Sequence, residues 1–303
     1  MKTVVLGGSG FLGSHVADAL TARGHDVTIF DRKPSLYAQA AQRVVAGDIL
    51  DRNALAAALE GAQAVYHFAG LADLDDAGTR PLDTVEQNIL GTCQVLDAAV
   101  QAGVKRVVFA STIYVYSNLG GFYRCSKLAA ELYIEEYQRR HGLDFTILRF
   151  GTVYGPRADA RNSVWRYLRQ GLREGRIVFP GTGEEIREYV HARDAAALSV
   201  DILASAYANR HVIITGHHPM RVTDLLRMIT EMLQRDVRIE FAGAQGNAHY
   251  TVTPYSFTPK IGNKLVSNEY VDMGQGLLEC LHEIAQEAPE ALERPARRAR
   301  ARR

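Results

Sequence analysis

A phenol and an ammonium group stand four residues apart in this chain. Tyr123 and Lys127 open a strongly helical pattern, so both side chains project from one face of the helix. A nearby cation favours the phenolate and lowers a tyrosine pKa from its ordinary value of about 10 towards that of a useful base. The pair predicts a base at this helix, but tyrosine and lysine occur at this spacing often by chance.

Two hydroxyl groups strengthen that prediction. Ser111 and Thr112 stand just beyond a short apolar run at residues 107–110, at the carboxyl edge of a predicted strand. Open α/β sheets bind their ligands at this edge. A hydroxyl there can hydrogen-bond a substrate oxygen beside the tyrosine and stabilise charge in the transition state. The combination predicts acid–base chemistry at a substrate oxygen.

A glycine-rich turn near the start of the chain predicts a dinucleotide site. Gly7, Gly10 and Gly13 follow the first predicted strand directly and open the first helix. Their spacing allows a tight turn, close approach of the backbone to a pyrophosphate and close packing of helix on strand. The triplet alone is a weak motif, and its position between a strand and a helix makes it more specific.

The end of the second predicted strand favours one dinucleotide over the other. Asp31 follows Gly7 by 24 residues, near where the ribose hydroxyls of an adenosine would lie. A carboxylate accepts hydrogen bonds from a 2′-hydroxyl and repels a 2′-phosphate, so NAD is favoured over NADP. Arg32 weakens that exclusion, and the alternative that Asp31 is only a surface turn residue stays open.

Alternating strands and helices position these residues. β-Branched apolar runs cover residues 3–6, 27–30, 44–46, 64–68, 107–110 and 145–149, and several helical patterns between them end at a glycine. This alternation predicts an α/β fold with a Rossmann-type doubly wound parallel sheet.

The pattern becomes less regular after residue 149. Helices are predicted near 164–171, 192–204 and 223–233, with short strands at 177–179, 212–215 and 237–241. These predict a smaller, interwoven C-terminal lobe that binds substrate. We assign the NAD-binding domain to residues 1–158 and 188–218, the substrate-binding lobe to 159–187 and 219–290, and a basic tail to 291–303.

The composition is that of an ordinary globular enzyme. Of 303 residues, 47% are hydrophobic and 23% charged, which excludes disordered, collagen-like and coiled-coil classes. Three widely spaced cysteines without paired Cys/His spacing argue against a disulfide framework or a metal site. No apolar run approaches the ~18 residues of a membrane span, and no signal-peptide pattern follows the first methionine. We expect a cytoplasmic protein with no membrane insertion.

The charge is balanced except at the carboxyl end, where six of the last ten residues are arginines. Without them the formal net charge falls from +1 to −5. Such a tail is able to contact nucleic acid or an anionic membrane, but a solvated end is the simpler interpretation. Because no basic folded surface is visible, we expect no nucleic-acid partner.

Together these motifs resemble those of the extended short-chain dehydrogenases/reductases, in the NAD-dependent sugar-nucleotide epimerase/dehydratase group. The resemblance covers nearly the whole chain. It consists of the glycine turn, Asp31, Gly47-Asp48-Ile49, His67-Phe68-Ala69-Gly70, Asn88 with Gly91-Thr92, Ser111-Thr112 with Val115-Tyr116, Tyr123 and Lys127, Val153-Tyr154-Gly155-Pro156-Arg157, and Arg187-Glu188-Tyr189-Val190-His191 with Asp194.

The resemblance implies a role for each matching residue. Tyr123 is the base, Lys127 holds the nicotinamide ribose, and the catalytic hydroxyl is Thr112 rather than Ser111, because it precedes Tyr116 by four positions. Predicted NAD contacts are Gly7, Gly10, Phe11, Leu12, Gly13, Asp31, Arg32, Asp48, Ile49, Ala69, Asn88, Tyr123 and Lys127. Predicted substrate contacts are Thr112, Thr152, Asn162 and Arg187.

Arg187 has the most specific of these substrate roles. The resemblance implies that it contacts the diphosphate of a nucleotide sugar. A surface ion pair with Glu184, Glu185 or Glu188 is the alternative.

Several departures from the family pattern narrow the activity. The segment between Thr112 and Tyr123 is short, so the pocket wall there is reduced. Ile113 and Tyr114 stand where 4,6-dehydratases have an Asp-Glu pair, which leaves no second acid–base pair at that position. Thr152 replaces a frequent Asn, a change that resembles uronic-acid 4-epimerases. Cys125 is predicted to pack rather than react.

We therefore expect a nucleotide-sugar 4-epimerase, acting on a UDP-hexose or a UDP-uronic acid through a transient 4-keto intermediate. The alternatives are a dehydratase, a decarboxylase or a 4-keto reductase acting on a nucleotide sugar. A non-catalytic NAD-binding scaffold is a more distant third.

The resemblance also implies a homodimer. Helices near 84–102 and 123–141 resemble the pair that forms a two-fold interface in relatives. Packing on the sheet explains their apolar positions equally well: Val85, Ile89, Leu96, Leu128 and Leu132.

Overall fold

The computed structural model describes residues 1–243, 250–253 and 263–286 as alternating strands and helices. The strands are β1 (Lys2–Leu6), β2 (Asp26–Asp31), β3 (Arg43–Ala46), β4 (Ala64–His67), β5 (Arg106–Thr112), β6 (Asp144–Phe150), β7 (Thr152–Tyr154), β8 (Arg176–Phe179), β9 (Ile186–His191), β10 (Arg210–Ile214), β11 (Pro219–Arg221), β12 (Arg238–Phe241) and β13 (Asn263–Leu265). The α-helices are α1 (Phe11–Ala22), α2 (Arg52–Leu59), α3 (Leu74–Thr79), α4 (Pro81–Thr84), α5 (Gly91–Gln101), α6 (Gly121–His141), α7 (Ser163–Arg169), α8 (Ala192–Asp201), α9 (Val222–Leu233) and α10 (Met273–Gln286). Shorter π-helical and 3₁₀ segments are Val85–Leu90, Ile113–Tyr116, Gln170–Glu174 and Ser205–Tyr207.

Eight strands form one parallel sheet, in the order β13-β10-β6-β5-β4-β1-β2-β3 across the described ranges. The chain builds outward in one direction from β1 to β3 and in the other direction from β4 onward. In such sheets, ligands bind beyond the carboxyl ends of the strands where this order reverses. The predicted α/β fold with a Rossmann-type doubly wound sheet is confirmed.

Alternate residues of the central strands face opposite layers of helices. In β1, Val4 and Leu6 pack with α2, α5 and α6, whereas Val5 packs with α1 and α8. Side chains alternate between the two faces of a strand, so a strand covered on both faces needs apolar residues at nearly every position. This is why the central strands appear in the sequence as short, unbroken apolar runs.

Seven of the eight strands of the large sheet agree with the predicted ones to within two residues, whereas β13 was not predicted. The difference that matters is at β5, which pairs with β6 as far as the Thr112 and Phe150 positions. Ser111 and Thr112 are therefore the last two residues of the strand and do not lie beyond it. As neighbours in a strand, their side chains point to opposite faces of the sheet.

The smaller lobe has a core of its own. Helices α7, α9 and α10 pack with β8, which pairs with β12. Between these elements in the sequence come α8 and β10, which belong to the large sheet and its helical layer, so the two parts are interwoven. The predicted basic tail, residues 291–303, lies outside the described residues, as do parts of the predicted lobe at 244–249, 254–262 and 287–290.

The helices and cysteines can be compared with the expectations from composition. None of the helices in the described ranges is both long and apolar enough to cross a membrane. Cys93, Cys125 and Cys280 are all free thiols. The predicted packing role of Cys125 is wrong for the single chain, because this residue lies exposed on the outer face of α6.

A buried ion pair joins α6 to the strands beneath it. Arg149 on β6 and Glu131 on α6 are both fully buried, and the guanidinium donates two hydrogen bonds to the carboxylate, at 2.7 and 3.1 Å. Ser111 donates its hydroxyl to the same carboxylate at 2.5 Å, and Arg149 donates to the Tyr116 hydroxyl at 2.5 Å. The charges of Arg149 and Glu131 depend on each other, because a buried charge without its partner is strongly destabilising.

Glu131→Gln is expected to lower the free energy of unfolding by about 3–5 kcal/mol, because it leaves Arg149 buried without its counter-charge. The matched control is Glu136→Gln on the same helix, where an exposed carboxylate pairs with Arg139 and Arg140. We expect that control to leave the unfolding midpoint unchanged. Urea unfolding followed by circular dichroism measures both, and equal midpoints for the two variants would contradict a structural role of the buried pair.

Candidate active site

The glycine turn connects β1 to α1 at the point where the strand order reverses. Gly7 has a φ of 81°, and a Cβ there would lie 2.6 Å from the backbone nitrogen of Ala69. A Cβ on Gly13 would lie 2.3 Å from the Gly7 carbonyl oxygen, so this glycine lets α1 approach the turn. Gly10 precedes α1 without any side-chain cap. The first amides of the helix, at Phe11 and Leu12, therefore remain available for an anionic group such as a diphosphate.

Asp31 lies at the carboxyl end of β2, beside this turn. Its carboxylate accepts hydrogen bonds from the backbone amides of Ser9 at 3.1 Å and Lys33 at 3.0 Å, one on each oxygen. Each oxygen keeps a further lone pair, so a ribose diol can still donate to it. The carboxylate is thus oriented by the protein before any ligand binds, and its position fits the adenosine half of NAD.

Arg32 and Asp48 face each other on the same side of the cleft. The guanidinium lies 3.7 Å from the Asp48 carboxylate, which also accepts from the Leu50 amide at 2.9 Å. Ile49, between Asp48 and Leu50, is buried against Gly91 of α5. Because Arg32 is paired with a carboxylate, it is less available to a 2′-phosphate than the sequence suggested.

Asn88, a predicted NAD contact, has hydrogen-bond partners within the protein. This residue is buried, and its amide group accepts from the Leu71 amide at 2.7 Å and donates to the Leu71 carbonyl and the Ser126 hydroxyl, both at 2.9 Å. A Cβ on Gly70 would lie 2.5 Å from the Asn88 oxygen. The side chain holds the loop after β4 against α6, so it positions Ala69 beside the glycine turn and is itself engaged by protein groups.

The structure brings Thr112, Tyr123 and Lys127 together. Thr112 ends β5, and its hydroxyl hydrogen-bonds with the phenol of Tyr123 near the start of α6. Lys127 lies one turn further on, where its ammonium donates to the Ala110 carbonyl at 2.8 Å. That nitrogen is 5.9 Å from the centre of the Tyr123 ring. Ser111 does not join this group, since its hydroxyl donates to Glu131.

Burial, more than charge, sets the proton affinities of this group. Burial raises the pKa of Tyr123 to about 12, and the hydrogen bond with Thr112 opposes the shift. Burial also lowers the pKa of Lys127 to about 8, opposed by the Glu131 carboxylate. The predicted lowering of the tyrosine pKa by Lys127 is therefore wrong for the protein alone. A cation brought by a ligand would favour the phenolate.

Two predicted substrate residues have contacts within the protein. Asn162 begins α7, where its side chain accepts from the Trp165 amide at 3.1 Å and donates to the Val153 carbonyl at 2.8 Å. Its amide is thus used to join the helix to β7. The hydroxyl of Thr152, also on β7, lies 3.5 Å from the Tyr250 hydroxyl.

Arg187 lies on β9 and faces an aromatic ring. Its guanidinium carbon is 4.2 Å from the centre of the Tyr250 ring, and the group donates to the carbonyls of Ile186 and Thr251. The acids that could have neutralised it have other partners: Glu184 pairs with Arg221, Glu185 accepts amides at 182 and 183, and Glu188 pairs with Lys264. Among the described residues, no carboxylate forms an ion pair with Arg187.

Sequence reasoning missed an aromatic pair beside this group. The rings of Tyr114 and Tyr250 lie 4.9 Å apart, tilted by 54°. Tyr114 comes two residues after Thr112, and its only sign in the sequence was that it replaces an acid. Tyr250 is 98 residues from Thr152, so no local pattern could place it here.

Comparisons with known proteins show which family the chain resembles. The model of the NAD dependent epimerase/dehydratase family matches residues 3–215. The chain is 31% identical over 230 residues to a dTDP-glucose 4,6-dehydratase of Streptomyces antibioticus, covering 67% of this chain and 68% of that protein. It is 28% identical over 265 residues to a UDP-glucose 4-epimerase of Corynebacterium glutamicum, covering 76% and 80%. The chain also matches the structure of the Thermus thermophilus UDP-glucose 4-epimerase complex with NAD, with a TM-score of 0.82 at 23% identity. This match covers 95% of this chain and 100% of that one.

A doubly wound sheet with this glycine turn and this Thr–Tyr–Lys group defines an extended short-chain dehydrogenase/reductase. Within that class, the chain belongs to the NAD-dependent epimerase/dehydratase family, since the family model matches well over half of its length. Its cofactor is NAD. The uncapped start of α1 and the oriented carboxylate of Asp31 fit that cofactor.

The Tyr123 phenol is expected to stay protonated well above neutral pH in the protein without cofactor, since its pKa there is about 12. The difference in absorbance at 295 nm between wild type and Tyr123→Phe should stay flat up to about pH 10. Adding NAD+, which carries a positive charge on its nicotinamide, should move the ionisation of the phenol to lower pH. A phenolate signal from Tyr123 near neutral pH without NAD+ would show that burial does not control this group.

Proposed function

We propose that the protein is a nucleotide-sugar 4-epimerase that acts on a UDP-hexose or a UDP-uronic acid. The observation that supports this most directly is the combination of an assembled Thr112, Tyr123 and Lys127 with Ile113 and Tyr114 next to them. A dehydratase needs a further acid and base for the loss of water. An epimerase needs only the group that makes and reverses a ketone.

The chemistry that bound NAD supplies is reversible hydride transfer at C4 of the sugar. Tyr123 accepts the proton of the 4-hydroxyl while C4 is oxidised. After the 4-keto sugar has rotated in the site, Tyr123 returns the proton to the oxygen as C4 is reduced. Thr112 hydrogen-bonds the same oxygen and stabilises the charge that develops on it. Lys127 holds a ribose hydroxyl and keeps a positive charge beside the phenolate.

The remaining contacts hold the two ligands on either side of the cleft. Asp31 accepts from the adenosine ribose, and the amides at the start of α1 hold the diphosphate of the cofactor. Arg187 binds the diphosphate of the nucleotide sugar, since it is a cation without an acidic partner in the described ranges. In this proposal, residues 1–158 and 188–218 bind the cofactor, and residues 159–187 and 219–290 bind the substrate.

A dehydratase is the second candidate, because the Streptomyces antibioticus relative is named as one and is 31% identical. The same redox group serves both reactions, as it would a decarboxylase or a 4-keto reductase. Position 114 favours the epimerase, since it holds the phenol of Tyr114 where the 4,6-dehydratases that the sequence resembles have a carboxylate.

Incubation of the wild type with a panel of nucleotide sugars is expected to yield an isomer of unchanged mass, inverted at C4, by NMR and mass spectrometry. Tyr123→Phe should still bind NAD but lose about 10²- to 10⁴-fold in kcat, since it lacks the acid–base group. Tyr270→Phe, a half-exposed tyrosine packed on His217, is the control and should keep full activity.

Other products would contradict the proposal in separable ways. A product lighter by water or carbon dioxide would assign a dehydratase or decarboxylase. Net consumption of reduced cofactor would assign a reductase. Unchanged turnover by Tyr123→Phe would remove the tyrosine from the mechanism.

We further propose a homodimer formed by the outer faces of residues 81–90 and of α6, in a compartment that keeps thiols reduced, such as the cytoplasm. Apolar side chains are exposed there in the described part of the chain, which is typical of interaction surfaces. Leu96, one of the predicted interface residues, belongs instead to the core of the sheet. The exposed set is Leu82, Val85, Leu90, Phe122 and Leu132. The three free cysteines support a reducing compartment.

Light scattering at micromolar concentration should give the wild type about twice the 33.4 kDa mass of the chain. Leu132→Asp is expected to shift the protein to the monomer, because it puts a charge into the exposed apolar face. Leu36→Asp makes the same change at an exposed leucine outside α5 and α6, and should leave the mass unchanged. A monomeric wild type would overturn the dimer.

A further inference from the structure

Two tyrosines lie between the catalytic phenol and Arg187. The phenol of Tyr114 is near enough to Tyr123, Tyr250 and Arg187 for each of them to act on its charge. The ring of Tyr250 packs against Tyr114 on one side, and Arg187 lies over it. The four side chains therefore follow one another from the site of chemistry towards the proposed diphosphate site, which is where the sugar of a nucleotide sugar must lie.

The shortened loop before α6 fixes the first of these rings. Gly120 has a φ of 89°, and a Cβ there would lie 2.7 Å from Cδ1 of Tyr114, so the glycine permits the loop to pack directly on the ring. The amide of Tyr114 donates to the Thr112 hydroxyl at 3.3 Å. The ring is thus held by the loop, by Tyr250 and by its connection to the catalytic threonine.

The surroundings of Tyr250 include a carboxylate that already has partners within the protein. Glu188 is buried, and its carboxylate pairs with Lys264 at 3.2 Å and accepts from the Thr215 hydroxyl at 2.5 Å. It lies near enough to Tyr250 to act on the charge of its phenol. A second carboxylate placed against these rings would lose its hydration, and Arg187, which lies over Tyr250, is occupied by the diphosphate in the proposed function.

We propose that Tyr114 and Tyr250 form the wall against which the sugar of the substrate packs, and that this wall selects a sugar whose C5 substituent is uncharged. Aromatic faces give contact area without fixed directions, and so hold a sugar ring while allowing a 4-keto intermediate to turn. The inference rests on the proposed function for the position of the sugar. It narrows the substrate from hexoses and uronic acids to hexoses.

Titration calorimetry of the full chain loaded with NAD tests the wall, with UDP, UDP-glucose and UDP-glucuronic acid as probes and dTDP and dTDP-glucose as a second series. Wild type should bind the glucose compound at least about tenfold more tightly than the uronic acid. Tyr114→Leu, which keeps an apolar side chain but removes the ring, should weaken glucose-compound binding about 3- to 10-fold and leave the nucleotide diphosphate unchanged. Tyr114→Phe keeps the ring and should bind as wild type does.

Tyr270→Leu is the matched control for loss of a tyrosine ring, and retained NAD together with an unchanged circular dichroism spectrum shows that each variant is folded. The proposed wall is contradicted if Tyr114→Leu weakens the binding of UDP and UDP-glucose equally. It is also contradicted if the wild type binds neither nucleotide sugar more tightly than the corresponding nucleotide diphosphate. If the wild type binds UDP-glucuronic acid as tightly as UDP-glucose, the wall does not select for an uncharged C5 substituent. Normal binding without inversion at C4 would reject the epimerase and keep the wall, whereas inversion with full affinity in Tyr114→Leu would reject the wall alone.

Discussion

The buried pair of Arg149 and Glu131 holds the catalytic group in place. Glu131 lies one helical turn after Lys127, so the carboxylate that pairs with β6 also acts on the charge of the lysine. The same carboxylate binds Ser111, which is adjacent to Thr112 at the end of β5. The Glu131 carboxylate thus links β5 and β6 to α6 and to Lys127. Since neither charge is stable alone in the interior, α6 cannot shift along the sheet without exposing or unpairing one of them.

The two hydroxyls at the end of β5 have different partners for a geometric reason. Side chains alternate along a strand, so one of two neighbours must face the layer that contains Glu131 while the other faces the cleft. Ser111 faces the acid, and Thr112 faces Tyr123. A resemblance to relatives had pointed to Thr112, and the alternation of the strand gives this choice a physical basis independent of any relative.

Local patterns predicted the central strands of the sheet well because these strands are covered on both faces. Apolar runs such as residues 3–6 and 145–149 then mark β1 and β6 directly. The short strands β7, β9 and β11 have no such run and were not predicted. The roles of Asn88 and Asn162 were equally hidden, because a buried amide that caps a helix or holds a loop is identical in sequence to one that contacts a ligand.

Prediction from the sequence was also limited by contacts between distant segments and by opposing effects on one pKa. Tyr250 reaches Tyr114 from a distant part of the chain, and nothing in either segment indicates the other. The pKa of Tyr123 depends on whether burial or a nearby cation has the larger effect. The spacing to Lys127 showed the cation, and only the packing shows that burial is the stronger influence.

Under the proposed function, position 114 decides which reaction follows the oxidation at C4. Oxidation at C4 makes the hydrogen at C5 acidic, so a base beside C5 would direct the ketone towards elimination. Under the proposed function that place holds Tyr114, a phenol fixed by Gly120 and Tyr250. Among the described residues, Tyr123 is then the base that acts on the 4-keto sugar. The remaining path is return of the hydride to C4, on either face, which is epimerisation.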